Sequence, residues 1–207
     1  VLGQVVMPGS LVVEAGGDVT ITGTVAVGHK GVDDEVLDDL AGGDPAAATP
    51  LTGRASLDLR AGGAIASTGM GPTGGRILTD LLAGKAGGGI DLRGANRITE
   101  IGQAQWTDLA GTGKAGALSA GLLAGQSGGG AIELIDIAGG LLVSQQVGST
   151  GGAMTVTTTG GAFTVAAAVD SRPATGAGKG GAITLTQTQG VFDLTGAGSV
   201  LSAGGAV

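Results

Sequence analysis

Apolar and polar residues alternate in short runs along the chain, and a glycine or small residue introduces each run. The clearest are Val19-Thr20-Ile21, Leu57-Asp58-Leu59, Ile90-Asp91-Leu92, Ile132-Glu133-Leu134, Met154-Thr155-Val156 and Ile183-Thr184-Leu185. A degenerate copy is Ala117-Leu118-Ser119-Ala120. Alternation with period two is the strand signature, and Val, Ile and Thr suit it. A second apolar beat follows most runs, as in Val25-Ala26-Val27, Ala64-Ile65-Ala66, Leu141-Leu142-Val143 and Phe163-Thr164-Val165. After Ile183-Thr184-Leu185 the beats are 191–194 and Val200-Leu201. Each unit therefore reads as two or three short strands joined by glycine turns.

Short strands repeated without long helices between them predict an all-β parallel β-helix, or β-solenoid. One coil is too small to bury its own apolar side chains, whereas stacked coils bury them together. Ile21, Leu59, Leu92, Ile132, Leu134, Val156 and Leu185 share one phase relative to the glycine turns and are expected to point inward. Glycine is expected to supply corners with positive φ. Roughly seven to nine coils at a strand spacing of about 4.8 Å predict a rod of roughly 35–45 Å. The whole chain, 1–207, reads as one solenoid segment with lateral loop insertions at about 28–53, 68–88 and 167–180. Helical turns are expected only inside insertions, at 36–40 and 77–83.

Composition narrows the class. The 207 residues include 46 Gly, no Cys, one Trp, two Phe and no Tyr. A narrow core that admits Ala, Val, Leu and Ile but not bulky rings accounts for the scarcity of aromatics. At 42% hydrophobic and 13% charged residues, with mean hydropathy +0.40, the chain is too apolar for charge-driven disorder. Disulfide and zinc-thiolate scaffolds are excluded by the absence of Cys. The net charge of −7 and scattered lysines argue against nucleic acid as a partner. No stretch is long and apolar enough for a membrane-spanning helix. The chain begins at Val1, which suggests a mature product or an excised piece.

The runs Gly180-Gly181-Ala182-Ile183-Thr184-Leu185-Thr186 and Gly151-Gly152-Ala153-Met154-Thr155-Val156-Thr157 resemble repeats of filamentous-haemagglutinin-like exoproteins and autotransporter passengers. The resemblance covers most of the chain outside the insertions. It implies a right-handed β-helix, secretion from a Gram-negative bacterium and a role as an adhesin. It also implies that this segment comes from the interior of a longer rod.

Several motifs carry potential chemistry. Gly125-Gln126-Ser127-Gly128-Gly129 fits G-x-S-x-G, but a nucleophile elbow needs a preceding strand, a following helix and a histidine partner. His29 is the one histidine and is distant in sequence; exposed at a loop entry, it is alternatively a metal ligand. G-x-G-x-x-G occurs at Gly69-Gly71-Gly74, Gly111-Gly113-Gly116 and Gly176-Gly178-Gly181, and none opens a convincing helix. The 28–53 segment holds Asp33, Asp34, Glu35, Asp38, Asp39 and Asp44. Carboxylates in a loop suit Ca²⁺, with Asp33, Asp34, Glu35, Asp38 and Asp39 as the candidate ligands. The alternative is a solvated acidic loop leaving the rod. Thr155, Thr157 and Thr159 with Thr184, Thr186 and Thr188 form T-x-T rows, which suit ice binding or simply an outward strand face. Leu57-Asp58-Leu59-Arg60 and Ile90-Asp91-Leu92-Arg93 recur and, if in register, stack as charge ladders relieved by Asp–Arg cross-pairing.

The resulting expectation is a non-catalytic structural segment of a secreted surface rod, an adhesin stalk or extracellular fibre, without cofactor or metal. Its expected partners are a protein or glycan at a surface, with end-to-end or lateral self-association. Two alternatives remain open. One is a β-helical polysaccharide lyase or hydrolase, for which Trp106 is the single large ring available as a sugar platform. The other is an ice-binding solenoid.

Overall fold

The computed structural model describes residues 1–7, 9–28, 55–102, 106–107, 113–114, 119–120, 130–137, 139–173, 179–194 and 198–202. Among these residues the regular elements are all strands. In chain order they are β1 (Val5–Met7), β2 (Leu11–Ala15), β3 (Val19–Ile21), β4 (Thr24–Val27), β5 (Ser56–Ala61), β6 (Ile65–Ser67) and β7 (Arg76–Ala86). There follow β8 (Ile90–Ile101), β9 (Trp106–Thr107), β10 (Gly113–Lys114), β11 (Ser119–Ala120), β12 (Ile132–Asp136), β13 (Leu141–Val143) and β14 (Val147–Ser149). The last are β15 (Met154–Thr158), β16 (Ala162–Val165), β17 (Ala168–Asp170), β18 (Ile183–Gln187), β19 (Val191–Leu194) and β20 (Ser199–Leu201).

The strands pair in parallel along three stacks, as expected of coils laid on one another and consistent with a β-solenoid. In the first stack Leu2 bridges to β3, which is followed by β6, β8, β12, β15 and β18. The second runs β1, β4, β7, β8, β13, β16 and β19. The third runs β2, β5, β7, β11, β14, β17 and β20. The long strands β7 and β8 each serve more than one stack. Only β9 and β10 pair antiparallel among the described strands, and they lie outside the stacks.

Register is set by apolar side chains stacking on apolar side chains. Ile65, Ile90, Ile132, Met154 and Ile183 form one vertical file. Leu92, Leu134, Val156 and Leu185 form a second file two residues along. A one-residue slip would turn these files outward, so burial itself holds the register. One core cluster extends from Val19 to Ile183. Ile21, Leu59, Leu92, Ile132, Leu134 and Val156 are buried in it, and Leu185 is half-buried against it in the last turn. The core does admit a ring. Phe163 is fully buried over Leu141, and Phe192 meets it edge-on at 5.3 Å between centroids.

Several expectations change. Residues 77–83 are not a helical turn but part of β7, whose Ile77 and Leu82 face the core while its backbone pairs with β4 and β5. Most of the segment 68–88 is therefore wall, not insertion. Within 167–180, Ala168–Asp170 form β17, also in the wall. Residues 29–53 lie outside the described residues, as does the 36–40 turn. Leu59 is inward but belongs to the third stack, where it pairs with Val13 and Gly84. The counterpart of Val19-Thr20-Ile21 in the next turn is Ile65-Ala66-Ser67. Alternation marks a strand but carries no information about which face of a coil the strand occupies.

Glycine has two distinct uses. Gly139 and Gly140, at φ +88° and +92°, turn the chain in the left-handed region, and Gly160 and Gly161 repeat that corner one coil later. The glycines before β12, β15 and β18 serve close approach instead. A Cβ on Gly130 would stand 2.2 Å from the Gly88 carbonyl oxygen, and one on Gly152 would stand 2.1 Å from that of Gly130.

Candidate functional site

In a strand, residues i and i+2 share a face. The outward face of the first stack therefore carries Asp91 and Arg93, then Glu133 and Ile135, then Thr155 and Thr157, then Thr184 and Thr186, in successive turns. Arg93 Nη2 meets Asp91 Oδ2 at 2.6 Å, and Arg93 Nε lies 3.6 Å from Glu133 Oε2 in the next turn. These carboxylates raise the Arg93 pKa, through its hydrogen bond to Asp91 first and the charges of Asp91 and Glu133 next. Thr155 stacks on Thr184 and Thr157 on Thr186. Beyond the strand ends, Thr188 Oγ1 lies 3.1 Å from Thr159 Oγ1.

The third stack has its own Asp–Arg pairs. Arg60 donates to Asp58 Oδ2 from Nε at 3.0 Å and from Nη2 at 2.6 Å. Arg172 donates to Asp170 from its backbone N, Nε and Nη2, the last at 2.6 Å. The guanidinium hydrogen bonds hold the Asp170 carboxyl below its ordinary range and raise the Arg172 pKa.

The two D-x-R motifs are thus not a ladder. Asp58 is opposite Val12 and Ala83, whereas Asp91 is opposite Ala66 and Glu133 on a different face. Each arginine pairs with the aspartate two residues before it, and Arg93 also reaches Glu133 in the next turn. A carboxylate gripped in this way has its oxygens occupied by the guanidinium, an arrangement that suits charge pairing on the outer face.

Among the described residues, no group of three or more His, Asp or Glu side chains is placed to hold a metal. Asp33, Asp34, Glu35, Asp38, Asp39, Asp44 and His29 lie outside the described residues, as do Gly125–Gly129 and the Trp106 side chain. Gly69, Gly71 and Gly74 do not open a helix. They form a turn between β6 and β7, in which Gly74 N donates to Gly71 O at 3.3 Å and Gly75 N to Thr68 O at 2.7 Å.

The interior polar residues escaped the sequence reading. Asn96, the single Asn in the chain, is fully buried. Its Oδ1 accepts from Ile77 N at 2.8 Å, and its Nδ2 donates to the carbonyls of Leu92, Gly94 and Ile135. Asp136, directly opposite it one turn on, accepts from Ile98 N at 2.9 Å. Both side chains bond backbone groups where the wall turns between stacks. The alternation Ile132-Glu133-Leu134-Ile135-Asp136 already placed Asp136 inward, and that was the available signal. Ser171 and Ser202 likewise both donate to the Gly181 carbonyl, at 2.7 and 3.0 Å.

No family model, curated protein or solved structure matches the chain. Among the described residues, no helix is long and apolar enough to cross a membrane.

Proposed function

We propose that this chain is a non-catalytic structural segment of a secreted bacterial surface rod, serving as an adhesin stalk or extracellular fibre. On this reading it is a right-handed parallel β-helix with lateral loops, the largest being 28–53. Its partners are a protein or glycan at a surface. The observation that supports it is the set of three parallel stacks sharing one apolar core, a construction whose length grows by one strand spacing per turn. The polar outer face is dominated by paired charges and threonines, which suit display and solvation. Small-angle scattering of the purified chain tests this. A rod of constant cross-section is expected. A compact spherical form, or release of unsaturated sugars from acidic polysaccharides, would count against it.

The in-register threonines favour one second reading, an ice-binding face. Thermal hysteresis lost in Thr157→Lys and Thr186→Lys variants would support it, and its absence from the unaltered chain would remove it.

A further inference from the structure

We propose that the interior corner between the first and second stacks binds a water molecule, held between Thr158 Oγ1 and Gln187 Oε1. The site is independent of whatever the outer face binds.

Asn96, Asp136, Thr158 and Gln187 form one polar file, in register through four successive turns. It runs beside the apolar file of Leu92, Leu134, Val156 and Leu185. Asn96, Asp136 and Thr158 have no exposed surface. The oxygens of Asn96 and Asp136 stand one bond beyond Cγ, and they reach the amides of Ile77 and Ile98. The threonine hydroxyl sits directly on Cβ and is one bond shorter. Thr158 Oγ1 is buried and meets no hydrogen-bond partner among the described residues, although the Thr158 carbonyl accepts from both the N and Oγ1 of Thr188.

Gln187 reaches back to the same corner from the next turn. Its Nε2 donates to the carbonyls of Gly160 and Gly161, at 3.3 and 2.7 Å, two and three residues past Thr158. That grip fixes the side-chain amide, so Gln187 Oε1 is held at the corner. It too is buried and meets no partner among the described residues. The hydroxyl can donate and the amide oxygen can only accept. Buried polar atoms are rarely left unbonded, and a buried water needs at least two such partners. The repeat of the stack fits. Side chains in register one turn apart are separated by about 4.8 Å, too far for a direct bond. Two partners of one tetrahedral water, each at about 2.8 Å, stand about 4.6 Å apart. A cation suits the corner less well, because Ca²⁺ takes about six to eight oxygens and this pair offers two.

Oxygen-17 relaxation dispersion of water in a solution of the whole chain counts long-lived buried waters, and exchange of hydroxyl protons does not contribute to it. Thr158→Val keeps the shape and removes the hydroxyl. It should lower the count by one and melt about 2–5 °C below the unaltered chain, because the water and Gln187 Oε1 each lose a partner. Where Thr158→Val does not fold, Gln187→Met carries the same comparison from the other side of the site. Equal dispersion in the variant and the unaltered chain would overturn the proposal. So would a Thr158→Val chain that melts higher, since that is the result for a hydroxyl buried without any partner. A rise in melting temperature on adding Ca²⁺ or Na⁺, absent from Thr158→Val, would replace the water with an ion.

Discussion

Gly181 lies so close over Gly152 that a Cβ on Gly181 would stand 2.2 Å from the Gly152 carbonyl oxygen. The obstacle is backbone, which cannot rotate away, so adjacent turns would have to separate. Gly152→Ala and Gly181→Ala should each destabilise the fold by about 1–3 kcal/mol in urea unfolding. Gly17→Ala, where nothing lies within 4 Å, should fall within about 0.5 kcal/mol of the unaltered chain. Equal effects at the two kinds of position would refute close stacking as the reason for the recurrent glycines.

Leu134 sits between Leu92 and Val156 with no exposed surface. Leu134→Ala should cost about 2–5 kcal/mol from the cavity it opens. Leu134→Asp should cost at least as much, because a carboxylate there has no cationic partner in the core cluster. A loss below about 1 kcal/mol for Leu134→Asp in equilibrium denaturation would contradict its core placement.

Asn96 satisfies four backbone groups from within the core. Asn96→Leu keeps the branching at Cγ, adds bulk, and leaves the Ile77 N–H and the carbonyl of Ile135 without this partner. It should lower stability by about 2–4 kcal/mol. Hydrogen exchange should show the Ile77 amide losing protection first. An unchanged exchange rate at Ile77 would show that another acceptor replaces the side chain.

Asp170 has its pKa depressed below the ordinary 3.8 by Arg172. A depressed carboxyl contributes stability above its unfolded pKa and loses that contribution as pH falls through the folded value. Asp170→Asn should therefore melt slightly lower than the unaltered chain at pH 7, by at most about 3 °C, because Arg172 is exposed. The gap should shrink below pH 3.8 and close once the native carboxyl is protonated. A gap that stays constant from pH 7 to pH 2 would show that the pair is not its source.

What the sequence by itself determined is the material of the fold. Alternation in Ile132-Glu133-Leu134 and Met154-Thr155-Val156 is enough to specify strands with one apolar side, because period two belongs to the strand itself. The glycines before Ala131, Ala153 and Ala182 mark where each first-stack strand begins. Tertiary structure decided which strands share a face. Leu57-Asp58-Leu59 and Ile90-Asp91-Leu92 are the same pattern, yet they lie in different stacks, because turn length, not alternation, sets how far the chain travels around the coil. It also decided that 76–86 is wall rather than loop, since β7 becomes a strand by having β4 and β5 to pair with. The roles of Asn96 and Asp136 were decided there too. A buried polar side chain is stable only where backbone groups from other turns converge on it, and that convergence exists only once the turns are stacked.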